Sequence, residues 1–208
     1  MYRCVASSVA GFIQQLAVSY IGHGYWFYVT GEIPPHKAPE KTDHKIIEQY
    51  GIGISKWARA RRKKAGDANL HYLRFERFYV IIATHGIHPF FAAEAARLKD
   101  IRETPIRFAG YSIGYRRQWG GGAWHPSVRI ELEHYREVKA YFESIAVHRS
   151  VENLCAELQA LPFVPYAPVR NQLFMILRTL NRLRKAAGFE LVPHSAIGRP
   201  RRSVRAFG

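Results

Sequence analysis

A short apolar run that leads directly into a histidine-bearing loop constrains the fold of this chain most. Phe78–Ala83 is rich in β-branched and aromatic residues and is too short for a solitary helix. It therefore predicts a strand that is buried on both faces. The following segment 84–89 (THGIHP) contains a glycine and a proline, which prevent the chain from continuing as a helix. This order predicts that His85 and His88 lie in a loop at the end of a core strand, where functional sites are common.

The charge of the chain limits the classes of partner it suits. Lys and Arg number 31 against 16 acidic residues, which gives a net charge of +15 and a pI near 10.1. Such an excess indicates a polyanionic partner, with nucleic acid first and an anionic membrane surface second. The alternative is a basic surface that serves solubility alone. Hydrophobic residues make up 48% of the 208 residues, enough for the core of one ordinary domain with an appendage.

Two further features concern compartment and targeting. Cys4 and Cys155 are far apart and form no C-x-x-C motif, which argues against a disulfide framework or a cysteine zinc finger and favours a reducing cytoplasm. The apolar run Val5–Ile21 contains polar residues and is shorter than the roughly 20 residues of a membrane span. No cleavage site follows it. We expect a helix packed on the domain, or a loose extension, and no membrane partner.

The rest of the chain alternates between strand and helix patterns. Strands are predicted at Tyr25–Thr30, Leu70–Glu76, Ile106–Tyr115 and Ser127–Leu132, and helices from Thr42 or Asp43, at Lys56–Ala65, at Phe90–Lys99, from Glu133, and at about Val169–Ala187. Ser55 and Gly66 are expected to cap the second of these helices. The three glycines at 120–122 predict a flexible hairpin connection, since no helix start and no Lys-Ser/Thr pair follows them.

This order predicts an α+β fold. We expect a ferredoxin/RRM-like mixed or antiparallel sheet of four to five strands, with one helical layer and a C-terminal helical extension. The predicted divisions are an N-terminal helix or loose extension at 1–24, an α+β core at 25–148, the helical extension at 149–190 and a basic disordered tail at 191–208.

Three acid-free basic segments carry the main functional prediction. They are Lys56–Lys64, Arg170–Lys185 and Arg199–Arg205. In the first, Trp57 is expected to point inward as an anchor. In the second, Leu173, Ile176, Leu177, Leu180 and Leu183 are expected to face inward, and Arg170, Arg178, Arg182, Arg184 and Lys185 outward. The predicted phosphate contacts are Lys56, Arg59, Arg61, Arg62, Lys63, Lys64, Arg74, Arg178, Arg182, Arg201 and Arg202.

Aromatic side chains would add contacts to unpaired bases. The candidates for stacking are Tyr72, Tyr111, Tyr115, Trp119 and Trp124. For each of them, packing in the core is the competing interpretation. Asp43–Gly66 also fits a helix-turn-helix, with a short helix, a glycine turn and a basic second helix. The flanking strands favour the alternative that this helix pair is a crossover connection of the sheet.

A catalytic alternative depends on His85, His88, Tyr135 and Lys139. Imidazoles suit a divalent metal such as Mg²⁺ or Mn²⁺ near a phosphate, and Tyr135 lies on a later helix, with Lys139 one turn on. This set resembles the rolling-circle nickases and single-strand transposases, in which a two-histidine strand is paired with a tyrosine. The resemblance implies a tyrosine that attacks the phosphodiester. Those enzymes separate their histidines by one residue on the strand, whereas here two residues intervene.

Metal-free RNA cleavage is a further possibility. His85 or His88, with His125 or His134, would supply an acid and a base, and Arg129–His134 fits an R-x-x-x-x-H pattern. The competing interpretation of each histidine is a loop or capping residue that binds backbone atoms.

The sequence thus predicts a cytoplasmic DNA- or RNA-binding protein, in the setting of a bacterial mobile element or replication system. One alternative is a metal-dependent single-strand DNA nickase or nuclease. The other is a structural protein that docks on an acidic partner or a ribonucleoprotein.

Overall fold

The computed structural model, which describes residues 2–117, 121–198 and 204–207, confirms an α+β fold. Within these residues the strands are β1 Tyr25–Glu32, β2 Leu70–Phe75, β3 Phe78–Thr84, β4 Lys99–Asp100, β5 Ile106–Phe108, β6 Tyr111–Arg117 and β7 Trp124–Ile130. The α-helices are α1 Val9–Gln14, α2 Pro39–Gln49, α3 Lys56–Ala65, α4 Pro89–Ala93, α5 Leu132–Ile145, α6 Val151–Gln159 and α7 Ala167–Ala186. A π-helix, Gln15–Tyr20, follows α1, and 3₁₀ turns lie at Ile21–His23 and His194–Ala196.

Internal contacts divide the chain into two units. Unit 1 comprises Met1–Ile106, Ile113–Ser127 and Ser203–Gly208, and unit 2 comprises Arg107–Ser112 and Val128–Arg202. The three-stranded sheet, in the order β5-β6-β7, contributes residues to both units.

The main sheet lies in unit 1 and has the strand order β2-β3-β1-β4. Each neighbouring pair is antiparallel, with Tyr28 opposite Ile82 and Leu73 opposite Val80. Helices α2 and α3 connect β1 to β2, and α4 connects β3 to β4. This is the order of a ferredoxin-like β-α-β-β-α-β sandwich, so the pair α2–α3 forms its first crossover.

Several element boundaries differ from the sequence-based prediction. Helix α2 begins at Pro39 rather than near residue 42, because proline fits the first turn of a helix. Helix α4 ends at Ala93, well short of Lys99. The predicted strand at Ile106–Tyr115 is interrupted by a turn in which Ala109 and Gly110 have φ values of 48° and 78°. Helix α3 has the predicted limits.

In unit 1, buried residues pack against both faces of the main sheet. On one face, Leu70, Tyr72 and Ile81 pack with Tyr50 and Phe90 from the helical side. Tyr72 and Leu73 are neighbours on β2 and point to opposite faces of the sheet, and both are fully buried, so both faces are covered.

The N-terminal segment supplies the cover for the second face. Phe12 packs edge-on against Phe78 with ring centroids 5.9 Å apart, and Tyr20 stacks on His71 at 4.3 Å. Closer to the N-terminus, the carbonyl of Cys4 accepts a hydrogen bond from the backbone amide of Arg74 in β2 at 2.7 Å. The N-terminal residues therefore add a layer to the single helical layer that was predicted. Of the helices in the described part of the chain, none is long and apolar enough to cross a membrane.

The last described residues also belong to unit 1. The amide of Val204 donates to Oε1 of Gln14 at 2.7 Å, and the amide of Ser7 donates to the carbonyl of Ala206 at 3.0 Å. Gly11 permits this approach, because a Cβ there would lie 3.0 Å from the carbonyl oxygen of Arg205. Part of the predicted basic tail thus packs on α1.

Unit 2 contains helices α5, α6 and α7, of which α6 and α7 lie in the predicted helical extension at 149–190 and α5 lies in the predicted α+β core. The inner face of α7 buries Leu173, Ile176 and Leu177 as expected, but it also buries Arg184, which is 2% exposed. Its Nη1 donates to the carbonyls of Ala146 at 2.6 Å and Arg149 at 2.9 Å. The expectation that Arg184 faces outward is wrong, because its guanidinium satisfies backbone carbonyls that sequence periodicity does not reveal.

A buried ion pair ties α2 to β2. Arg74 is 5% exposed, and its Nε and Nη2 donate to both carboxylate oxygens of Asp43 at 2.8 to 3.0 Å. The hydroxyl of Tyr72 donates to the same carboxylate at 2.6 Å. Arg74 was predicted to contact phosphate, and the structure corrects this. A buried guanidinium is stable only with such partners, so its donors are committed within the fold.

Removing one partner of this pair should destabilise the protein strongly. Asp43→Ala leaves the Arg74 charge buried without its carboxylate, so the free energy of unfolding should fall by about 3–5 kcal/mol in urea titrations. Lys45→Ala, an exposed position on the same helix, is the control and should change it by less than about 0.5 kcal/mol. Equal effects of the two substitutions would contradict the assignment.

The lowered pKa of His71 should make the stability of the protein depend on pH. Burial, with a smaller contribution from Arg59, lowers the pKa of His71 to about 3 from its usual 6.5. Between these values the unfolded chain binds a proton that the folded protein does not, so stability should fall as the pH drops from 6.5. The loss per pH unit is at most about 1.4 kcal/mol, reduced by the partial solvent exposure of the ring.

The variant His71→Phe isolates this effect, because it keeps an aromatic ring against Tyr20 and removes the titrating group. Urea unfolding of the variant between pH 6.5 and 4.5 should show a shallower decline than the wild-type protein. Parallel profiles for the two proteins would show that His71 does not titrate as described.

Candidate nucleic-acid interface

Helix α3 is the most cationic element of unit 1, and none of its residues is buried. Ser55 caps its start, where the Ser55 Oγ accepts from the amide of Ala58 at 3.2 Å. Gly66 ends it with a left-handed backbone. Trp57 was expected to anchor the helix inward, but its side chain is 79% exposed. That expectation is wrong. The exposed tryptophan adds an aromatic ring to the cationic surface of the helix.

Two arginines attach α3 to the rest of unit 1 in place of the tryptophan. Arg59 Nη2 donates to the carbonyl of Ile52 at 2.9 Å, and Arg62 Nη1 lies 3.5 Å from the carbonyl of Gly51. Asn69 Nδ2 donates in turn to the carbonyl of Arg59 at 3.0 Å. Arg59 and Arg62, both predicted phosphate contacts, therefore hold the helix against the preceding loop.

The remaining side chains of α3 form a continuous exposed surface. Trp57, Arg61 and Lys64 are spaced by four and three residues, which places them on one face of the helix. Lys56 and Lys63 are also exposed beside this face. We call these five residues the α3 surface. It combines an aromatic ring with four cations and contains no carboxylate.

The histidine loop after β3 supports the C-terminal end of α3. The amide of Ile87 donates to the carbonyl of Gly66 at 3.1 Å, and the amide of Ala68 donates to the carbonyl of Ile87 at 3.1 Å. Gly86 has a φ of +138°, and a Cβ there would lie 2.5 Å from the amide nitrogen of Ala68. The loop that holds the candidate histidines of the catalytic alternative therefore fixes the position of α3.

The two loop histidines have different surroundings. The His88 Nδ1 accepts a hydrogen bond from the amide of Phe90 at 3.1 Å, which makes His88 the N-cap of α4. Burial first, then the charge of Arg62, lowers its pKa. His85 is exposed and its ring lies 6.3 Å from that of Phe27. His88 matches the capping interpretation.

The four residues of the nickase hypothesis are divided between the two units. His85 and His88 lie in unit 1, whereas Tyr135 and Lys139 lie in unit 2. Among the residues that the structure describes, no group of three or more His, Cys, Asp or Glu side chains is arranged to hold a metal ion. Burial, with a contribution from Glu143, raises the pKa of Tyr135 and so disfavours its nucleophilic phenolate. Lys139 lies 3.7 Å from Glu143.

Of the histidines proposed for RNA cleavage, His85, His88 and His125 lie in unit 1, and His134 lies in unit 2. His125 lies in unit 1, exposed, with its Nδ1 3.4 Å from the carbonyl of Ala123. His134 lies in unit 2, 3.6 Å from Glu131. The structure supplies no specific observation that favours this hypothesis over binding.

Unit 2 has its own cationic surface on α7. Arg178, Arg182 and Lys185 are exposed and spaced by four and three residues, so they share one face of the helix. Arg170 instead donates to the carbonyl of Gly198 at 3.1 Å. The predicted contacts Arg201 and Arg202 lie outside the described residues.

A stack of aromatic rings is the feature that sequence analysis anticipated only in part. Tyr115 and Trp124 were named as stacking candidates, and their rings are 5.7 Å apart with an interplanar angle of 19°. The ring of Trp26 also contacts Tyr115, with ring centroids 5.7 Å apart and an interplanar angle of 33°. The guanidinium of Arg102 lies 4.6 Å from the ring of Trp26. We call these four residues, all within unit 1, the aromatic column.

The other stacking candidates have different outcomes. Tyr72 and Tyr111 are buried, as the core-packing alternative predicted, and Trp119 lies outside the described residues. Trp26 and Arg102 were missed, because no local pattern shows that residues so far apart in the chain meet.

No protein-family model, no curated protein and no solved structure matches this chain. Its function therefore has to be inferred from the chemistry of the surfaces described above.

Replacing His88 should affect stability through the lost helix cap. His88→Ala removes the acceptor for the amide of Phe90 and should lower the free energy of unfolding by about 1 kcal/mol, measured by urea titration. His88→Asn restores a capping acceptor and should recover most of this loss. His85→Ala, at the exposed histidine, should change stability by less than about 0.5 kcal/mol. A null effect of His88→Ala would argue against the capping role.

Proposed function

We propose that this protein binds nucleic acid and that the α3 surface is its principal contact. The observation that carries this proposal is Trp57, which is 79% exposed on a helix whose exposed charged side chains are all cationic. A tryptophan left in water gives up the free energy of burying a large apolar side chain. A partner that covers the ring and neutralises the surrounding charge would recover it.

Nucleic acid satisfies both requirements of the α3 surface. Phosphates pair with Lys56, Arg61, Lys63 and Lys64, and the release of condensed counterions favours binding. Bases offer a flat π-face to Trp57, and stacking on an aromatic side chain does not require a particular sequence. Arg59 and Arg62 bind carbonyls of the fold, whereas within the described part of the chain these four cations do not, which leaves them available to a ligand.

The cationic face of α7 in unit 2 is proposed as an additional phosphate contact. Arg178, Arg182 and Lys185 present exposed positive charge, which suits sequence-independent binding of the phosphate backbone. An acidic protein partner remains the competing proposal from a different class. A cytoplasmic location and a mobile-element or replication setting stay predictions from sequence.

The proposal is tested by fluorescence anisotropy with labelled DNA and RNA oligonucleotides over a range of salt concentrations. The logarithm of the binding constant should fall linearly with the logarithm of salt, with a slope of about −0.7 to −0.9 per phosphate neutralised. The triple variant Arg61→Ala, Lys63→Ala, Lys64→Ala should bind at least about tenfold more weakly and should reduce the slope by about two to three.

A charge-matched control separates the α3 surface from the overall charge. Lys37→Ala, Lys41→Ala, Lys45→Ala removes three exposed cations from the same unit and should have a much smaller effect. Equal weakening by the two triple variants would mean that net charge alone attracts nucleic acid. Absence of binding by the wild-type protein at low salt would overturn the proposal and leave the acidic-partner alternative.

A further inference from the structure

We propose that the aromatic column is a second binding site, specific for unpaired bases, where a base stacks on Trp124. This inference deepens the proposed function, and rests on it, by naming single-stranded nucleic acid as the class of ligand. It is carried by the order of the column, which runs from Arg102 through Trp26 and Tyr115 to Trp124. One end is capped by a cation and the other end is a half-exposed ring.

The capped end of the column is fixed by its own contacts. Arg102 Nε donates to Oδ1 of Asp100 at 2.9 Å, and its Nη2 forms an ion pair with the second carboxylate oxygen. Asp100 lies on β4, opposite Phe27 of β1. A guanidinium held by both carboxylate oxygens keeps its plane, so it stays over Trp26 as a cation–π partner. This end of the column is already occupied.

The middle of the column is aligned by the backbone of Ile101. The amide of Ile101 donates to the carbonyl of Trp26 at 2.9 Å, and its carbonyl accepts from the amide of Tyr115 at 3.4 Å. One peptide segment therefore sets the separation between the strand that carries Trp26 and the strand that carries Tyr115. The rings are held in position before a ligand arrives, which lowers the ordering cost of binding.

The open end of the column is Trp124, which is 50% exposed although it stacks on Tyr115. A flat π-system added at this end would extend the stack and cover the exposed part of the ring. Arg116 and Arg117 follow Tyr115 directly on β6, and both are exposed. Because successive residues of a strand point to opposite faces, Arg117 shares the face of Tyr115 and Arg116 does not. The Nε of Arg117 donates to the carbonyl of Gly122 at 3.3 Å, and the other N–H groups of its guanidinium supply positive charge for the phosphates that flank a stacked base. Charge complementarity thus selects a nucleotide strand over a neutral aromatic ligand.

The geometry favours unpaired bases over duplex. In a duplex each base face is covered by its neighbours in the stack, so a protein ring reaches one only where the strand is unpaired or the base is turned out. Stacking on an exposed ring tolerates any base, because every base has a π-face. The column therefore predicts a preference for single strands without a preference for sequence.

The experiment uses the full-length protein and four labelled ligands of about 15 nucleotides: single-stranded DNA, single-stranded RNA, duplex DNA, and a DNA backbone with abasic sites in place of most bases. Affinities are measured by anisotropy at one low salt concentration. The variant Trp124→Ala removes the open end of the column. Trp124→Phe keeps a ring there, and Val18→Ala truncates another exposed apolar side chain of unit 1.

Trp124→Ala should bind the single strands about tenfold more weakly than the wild-type protein, with duplex and abasic ligands changed by less than about twofold. Trp124→Phe should retain most of the affinity, and Val18→Ala should match the wild-type protein. Equal losses for DNA and RNA would identify the base as the recognised group, and a loss confined to one of them would identify that nucleic acid as the ligand.

Unchanged single-strand binding by Trp124→Ala would overturn the inference, and so would a uniform loss across all four ligands. In both cases wild-type binding that depends on the α3 surface would leave the proposed function standing. If the wild-type protein binds none of the four ligands, both proposals fail together.

Discussion

The desolvation of one arginine determines much of how unit 1 is assembled. A guanidinium cannot be buried without partners that replace its water, and Arg74 has them in Asp43, with Tyr72 sharing the same carboxylate. The carboxylate comes from α2, while the backbone of Arg74 bonds the chain around Cys4. The sheet, the first crossover helix and the N-terminal segment therefore meet at one ion pair. The loop that follows α2 is in turn the surface to which α3 is attached.

Among the described residues, some arginines bind acceptors within the fold and others extend into solvent. Arg59, Arg62 and Arg184 point their donors at backbone carbonyls, and Arg74 and Arg102 bind carboxylates. Their planar forks suit these acceptors, so they act as internal connectors. The exposed cations on α3 and α7 extend into solvent and contribute to the positive electrostatic potential around the protein. The net charge of +15 indicates a polyanionic partner, but only the structure separates these two classes.

The sequence predicted the features that depend on local interactions, and it missed those that depend on contacts between residues distant in the chain. The strands β1, β2 and β3 and the limits of α3 were predicted, because apolar runs and the caps Ser55 and Gly66 are local signals. Trp57 and Arg74 were assigned to the wrong environments, because an aromatic residue is usually buried and an arginine usually exposed. Their actual positions depend on partners that are distant in sequence. The aromatic column joins residues 26, 102, 115 and 124, so half of it was invisible to pattern analysis.

Contact between the α3 surface and nucleic acid can be followed through the indole signals of the tryptophans. The chain has four tryptophans, and Trp57→Phe assigns the Trp57 signal in a proton–nitrogen correlation spectrum of the isotope-labelled protein. Titration with a single-stranded oligonucleotide should shift or broaden the Trp57 indole signal in step with binding, because the ring moves from water onto a base. Saturable binding that leaves the Trp57 signal unchanged would contradict the account.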